Sequence, residues 1–110
     1  MVPTPNRVLQ MPILESDFQA KLIRRLEKSY PEAIVIKTDP RYIQGMPDLL
    51  ILYYDMWAAL ECKQGPRSRR QPNQAWYVDT MNQMSFAAFI SPDNEESVLH
   101  ALEQTFRDRR

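Results

Sequence analysis

Cysteine is nearly missing from this 110-residue chain: Cys62 stands alone, which excludes an internal disulfide, and with a single histidine there is no Cys/His cluster to hold structural zinc. That usage reads as an intracellular protein. No apolar run approaches the roughly 20 residues a membrane span needs. The start, "MVPTPNRVLQMPIL", lacks the charged head and apolar centre of a secretion signal, and its three prolines suggest an extended arm over residues 1–14. Net charge is absent too, with 14 basic against 14 acidic residues, so the overall balance points to no nucleic-acid partner. There is no internal repeat, no low-complexity tract and no room for a second domain, so residues 15–110 read as one domain with one core.

What is present is a set of short, well-punctuated elements. In "ESDFQAKLIRRLEKSY" the residues Phe18, Leu22, Ile23 and Leu26 share one helical face, and Lys21, Arg24, Arg25 and Lys28 point away as a solvent face. Ser16 with Gln19 resembles a capping box, which places Glu15 just before the helix. "AIVIKT" (33–38) reads as a short buried strand. Residues 47–53 and 56–63 form two more strands, joined by so few residues around Tyr54 and Asp55 that they must make an antiparallel hairpin. A polar loop, "KQGPRSRRQPN", leads to a second helix from about Pro72 to Met84 with Tyr77, Val78, Met81 and Met84 at helical spacing. "FAAFI" (86–90) is a fourth strand, and the last helix opens with acids, closes with arginines and carries Val98, Leu99, Leu102 and Phe106 as its stripe. The order is αβββαβα, a mixed four-stranded sheet flanked by helices.

The hairpin carries the chemistry. Its apolar strands end in Asp48 on one side and Glu61, Cys62, Lys63 on the other. An unpaired buried carboxylate costs several kcal/mol, so these acids must reach solvent, pair with cations or bind a metal. In a hairpin centred on residues 54 and 55, Asp48 lies opposite Glu61, about 5 Å away, where like charges repel. Mg²⁺ resolves the conflict, since it takes one or two carboxylates and keeps water or phosphate in its other positions. Strand alternation sends Lys63 to the Glu61 face and the Cys62 side chain to the other, leaving the Cys62 backbone carbonyl as a further ligand. Metal, water and ammonium together suit phosphodiester hydrolysis. The plainer alternative is an exposed hairpin edge where Glu61 and Lys63 form a surface ion pair worth under about 1 kcal/mol.

Gly45-x-Pro47-Asp48 followed by Glu61-x-Lys63 at the end of the next strand, within this element order, resembles the PD-(D/E)xK nuclease superfamily over residues 15–90. The nearest resemblance is to its small VRR-NUC and Holliday-junction-resolvase-like members. It implies a restriction-endonuclease-like αβββαβ core with an added C-terminal helix. It also implies a Mg²⁺- or Mn²⁺-dependent endodeoxyribonuclease leaving 3′-hydroxyl and 5′-phosphate ends, acting on duplex or branched DNA, commonly as a homodimer. Glu15, Gly45, Pro47, Asp48, Glu61, Lys63 and Gln74 occupy the matching places, so Asp48, Glu61, the Cys62 carbonyl and Glu15 become metal ligands, with Lys63 and Gln74 completing the site. A glycine common in the family before the last strand is replaced here by Met84-Ser85.

Among the remaining candidates, Gln74 is favoured over Gln71, which precedes Pro72 and belongs to the loop. Arg67, Arg69 and Arg70 follow Lys63 without an intervening acid and are assigned to DNA phosphates, with Lys37 and Arg41 as weaker contacts. His100 is far from the carboxylates and is given no role; Cys62 is expected to be packed and inert; Trp57 and Trp76 read as core or dimer contacts. The competing functional readings are a non-catalytic nucleic-acid-binding module and a nuclease subunit needing a partner. A cytoplasmic location follows, or a host cell if the gene is carried by a phage.

Overall fold

The structure, a computed structural model, describes residues 14–65 and 67–109; the expected N-terminal arm lies outside the described residues except for Leu14. Helix α1 spans Glu15–Ser29, with Leu14 in extended conformation before it and no side-chain cap. Ser16 is therefore not the cap, and Glu15 lies inside the first turn rather than ahead of it. Glu15 and Asp17 at the start and Lys28 at the end match the helix dipole. The helix ends where Pro31 disfavours helical geometry at Tyr30, whose N–H still donates to the Leu26 carbonyl at 2.8 Å.

Strands β1 (Ile34–Lys37), β2 (Leu49–Tyr53) and β3 (Met56–Cys62) form an antiparallel meander, and β4 (Phe86–Ile90) joins β3 in parallel, giving the sheet order β1-β2-β3-β4. The β2–β3 turn is only Tyr54-Asp55, and it forces Tyr54 to a left-handed φ of 58°. A parallel β3–β4 pair requires a crossover, which helix α2 (Pro72–Met84) supplies. Helix α3 (Glu95–Arg109) closes the chain. The αβββαβα order and the mixed, helix-flanked sheet are thus those expected from the sequence.

The sheet separates two cores. Leu49, Ile51, Ala58, Leu60, Cys62 and Ile90 meet Phe18, Leu22 and Leu26 of α1 and Leu102 and Phe106 of α3 on one face, where each large side chain contributes about 1.5–3 kcal/mol. On the other face Ala59, Ala87 and Val78 make a smaller cluster with Leu50, Trp57, Met81 and Phe89. Among the described strands, helix α2 packs over β3 and β4 only. Strand β1, expected to be buried, is consequently an exposed edge: Ile34 and Ile36 lie across from Leu52 and Leu50 on the α2 face but beyond the helix's reach, and they are 61% and 38% exposed. Met84, expected in the α2 stripe, is likewise turned to solvent.

Arg25 departs from the expected solvent face: it bridges α1 to α3 by ion pairs of 2.7 Å to both Glu95 and Glu96. Tyr30 adds a hydrogen bond of 2.6 Å from its hydroxyl to Glu103. Among the described residues no helix is long and apolar enough to cross a membrane.

Candidate active site

The hairpin register pairs Leu49 with Leu60, so one step outward places Asp48 beside Glu61. Asp48 is held from several sides. Its Oδ2 accepts the Cys62 N–H at 2.8 Å and its carbonyl accepts the Thr38 N–H at 2.9 Å, while the Thr38 hydroxyl donates to the carbonyl of fully buried Pro47 at 2.6 Å. The Pro-Asp dipeptide thereby fixes the entrance to β2, and the carboxylate projects onto the α2 side of the sheet.

Glu61 is only 2% exposed and Lys63 only 8%. One residue joins them: the Gln74 amide donates to Glu61 Oε2 at 2.9 Å, and its oxygen accepts Lys63 Nζ at 2.8 Å and the Gln71 N–H at 3.0 Å. Lys63 Nζ also donates to the Arg69 carbonyl at 3.0 Å and lies 3.6 Å from Glu61 Oε2. Pro72 at the first position of α2 sets the helix start, so that Gln74 sits in its first turn facing the sheet, and Gln71 remains the residue before the helix. Of the two glutamines, it is Gln74 whose side chain reaches Glu61 and Lys63.

One atom in this network is unsatisfied. Glu61 Oε1 is buried without a hydrogen-bond partner, a condition that in a native site calls for an explanation. Burial first, and then the negative charge of Asp48, push the Glu61 carboxyl up to about 8, with Lys63 opposing. Burial also raises Asp48, against the Cys62 N–H and the charges of Lys63 and Lys37. Two crowded carboxyls of this kind share a proton unless a cation joins them. The hard oxygen donors, the orphaned Oε1 and the adjoining Asp48 fit a divalent cation such as Mg²⁺, which typically uses one or two protein carboxylates.

Glu15 is raised by burial and then by the charge of Asp48, so α1 brings it within electrostatic reach. It does not join the other two closely: among the described residues no three His, Cys, Asp or Glu side chains are grouped to hold a metal. Cys62 is fully buried on the opposite face, its thiol pushed up to about 12, consistent with an inert packing role. Lys37 is exposed, and Arg41 is tied to Asp39 at 3.1 Å. Arg67, Arg69 and Arg70 are exposed. His100 lies on α3, lining a separate polar cavity with Arg25 and Glu103. Trp57 is partly buried in the smaller core, whereas Trp76 is 61% exposed and so does not belong to either core.

Sequence reasoning recognised Gly45 without its cause. Its φ is +91°, and a Cβ there would lie 2.4 Å from Asn73 Cβ, at the start of the helix carrying Gln74. The loop bearing Asp48 and the helix bearing Gln74 touch at this point, and only glycine fits. Gly45→Ala is expected to lower stability by roughly 2–3 kcal/mol in urea denaturation, through left-handed strain and the clash together.

Scans of known protein families, curated proteins and solved structures return no match to this chain.

Proposed function

We propose that this chain is a Mg²⁺- or Mn²⁺-dependent endonuclease that hydrolyses DNA phosphodiester bonds, in the manner of the PD-(D/E)xK nucleases its motifs resemble. The observation that carries the reading is the buried, partnerless Glu61 oxygen beside Asp48, with the Lys63 ammonium held on the same face. A binding module gains nothing from carboxylates crowded near a phosphate; a hydrolase uses them. When bound, the cation supplies a more acidic water and neutralises charge on the crowded anionic transition state.

The residues of the chain divide the remaining work. Asp48 and Glu61 would be the cation's side-chain ligands, with the Cys62 carbonyl as a further donor, and Glu15 adds negative potential nearby. Lys63 places a positive charge where the attacking water and the phosphate oxygens meet. Gln74 and the Arg69 carbonyl keep that ammonium from swinging away, and Gln74 at the same time orients Glu61. The basic loop after Lys63 contacts the DNA backbone, and a second copy of the chain would cut the opposite strand.

Branched, duplex and single-stranded DNA incubated with the protein and Mg²⁺ or Mn²⁺ are expected to yield fragments with 5′-phosphate ends. Asp48→Ala and Lys63→Ala should each reduce the rate by about 10²–10⁴-fold, the usual range for a positioned catalytic group. Undiminished cutting by either variant, or no cutting of any substrate by the wild type, refutes the catalytic assignment. Calorimetric Mn²⁺ titration separates it from a non-catalytic binding module, because only a working site loses its heat on Asp48→Ala. Light scattering on the same samples tests the homodimer.

A further inference from the structure

The structure's cations differ in how they are held. Arg25 is neutralised by Glu95 and Glu96, Arg41 by Asp39, and Arg107 by Glu103. Arg70 is fixed in another way: its guanidinium lies 3.9 Å above the centre of the Phe89 ring. Among the described residues it has no hydrogen bond or ion pair. A ring attracts a cation through its quadrupole but does not cancel the charge or occupy the N–H donors in the guanidinium plane. Stacking therefore leaves Arg70 located and yet fully able to bind an anion.

Its location follows from the register. Phe89 is the partner of Glu61 across the parallel β3–β4 pair, so the ring stands on the same face, one strand spacing of about 4.8 Å to the side. Arg70 and Phe89 also share with Lys63 the wall of a cavity of about 120 Å³. Asp93 lines that cavity but makes no ion pair with Arg70. A cation without an acid partner is thus stationed one strand away from the crowded carboxylates, on the far side from Asp48.

We propose that Arg70 binds the DNA backbone phosphate next to the one being cut, and that Phe89 is a positioning residue which holds the guanidinium ready for it. This rests on the nuclease reading above and selects Arg70 from the three arginines of the loop. Phe89 itself touches no phosphate; it acts by sparing Arg70 the loss of side-chain freedom on binding.

The test is binding of a labelled DNA duplex, followed by fluorescence anisotropy in metal-free buffer over a range of salt concentrations. Arg70→Gln is expected to weaken binding about tenfold and to reduce the slope of log affinity against log salt by about 0.9, the share of one phosphate contact. Phe89→Leu should weaken binding about three- to fivefold, Phe89→Trp should restore it, and Phe89→Leu should add nothing in the Arg70→Gln background. Arg70→Gln alters an exposed side chain and so tests the contact without disturbing either core. Wild-type affinity and slope in Arg70→Gln, or additive losses in the double variant, overturn the proposal while leaving the nuclease reading intact. A wild type that neither binds nor cuts DNA removes both.

Discussion

Glu61→Gln is expected to abolish cleavage and, in the same protein, to raise the melting temperature measured without metal above about pH 8, where Glu61 has given up the proton it shares with Asp48. The substitution keeps the shape of the side chain, and its oxygen still accepts the Gln74 amide. What disappears is a buried acid that the fold holds in an unfavourable setting, raised by burial and by Asp48 and left with an unpartnered oxygen. The new amide can donate to Asp48, replacing repulsion by a hydrogen bond. A gain of about 5 °C is expected by calorimetry, corresponding to roughly 1 kcal/mol in a domain of this size. Activity moves the other way, by about 10³-fold or more, because a neutral amide is a poor ligand for a hard divalent cation. If Glu61→Gln melts below the wild type in metal-free buffer above about pH 8, the ionised carboxylate is stabilising in the fold and the argument for a cation there fails.

The second large effect concerns pH. Glu61, Asp48 and Glu15 are all raised in the folded state, so the fold holds protons that the unfolded chain has already released. The sign follows from linkage: their contribution is fully present below the ordinary carboxylate range and is lost as pH rises through about 8, the value for Glu61. Asp39, Glu96 and Glu103 are lowered and act oppositely, losing their contribution as pH falls into the acid range. Metal-free protein should therefore be most stable near pH 5 and melt on the order of 10 °C lower at pH 8. Mn²⁺ should recover most of that loss at pH 8 and little at pH 5, since the ligands must first give up their protons. A metal-free melting temperature that is flat or rising between pH 5 and 8 would show that the site is not strained by its charges.

Much of this was legible in the chain because the decisive signals are local. The two-residue turn at Tyr54-Asp55 alone determines the pairing of Asp48 with Glu61, and Pro72 alone determines where α2 starts and hence that Gln74 faces the sheet. The departures arise where long-range contacts or the local backbone override a residue pattern. β-Branched residues in "IVIK" announce a strand, but whether a helix covers it depends on where α2 crosses, so the exposure of Ile34 and Ile36 carries no local signal. The Ser16–Gln19 spacing imitates a cap, while the backbone begins its helix two residues earlier, with the Phe18 N–H donating to the Leu14 carbonyl at 3.0 Å. The link between Lys63 and the Arg69 carbonyl, and the seat of Arg70 on Phe89, join residues whose types carry no such signal. Alternation along "FAAFI" does put Phe89 on the Glu61 face, which was the one available hint.

The bare flank of β1 bears on how this protein behaves when concentrated. Among the described residues only one side of that strand is hydrogen-bonded, and the other offers a ladder of amides and carbonyls beside two protruding isoleucines. Such a margin recruits strands from other molecules, and here Lys37 is the only charge within it that resists stacking into aggregates. A charge in place of Ile34, which pairs with Leu52 at the end of the strand away from Asp48, is expected to blunt this margin and reduce self-association at high concentration.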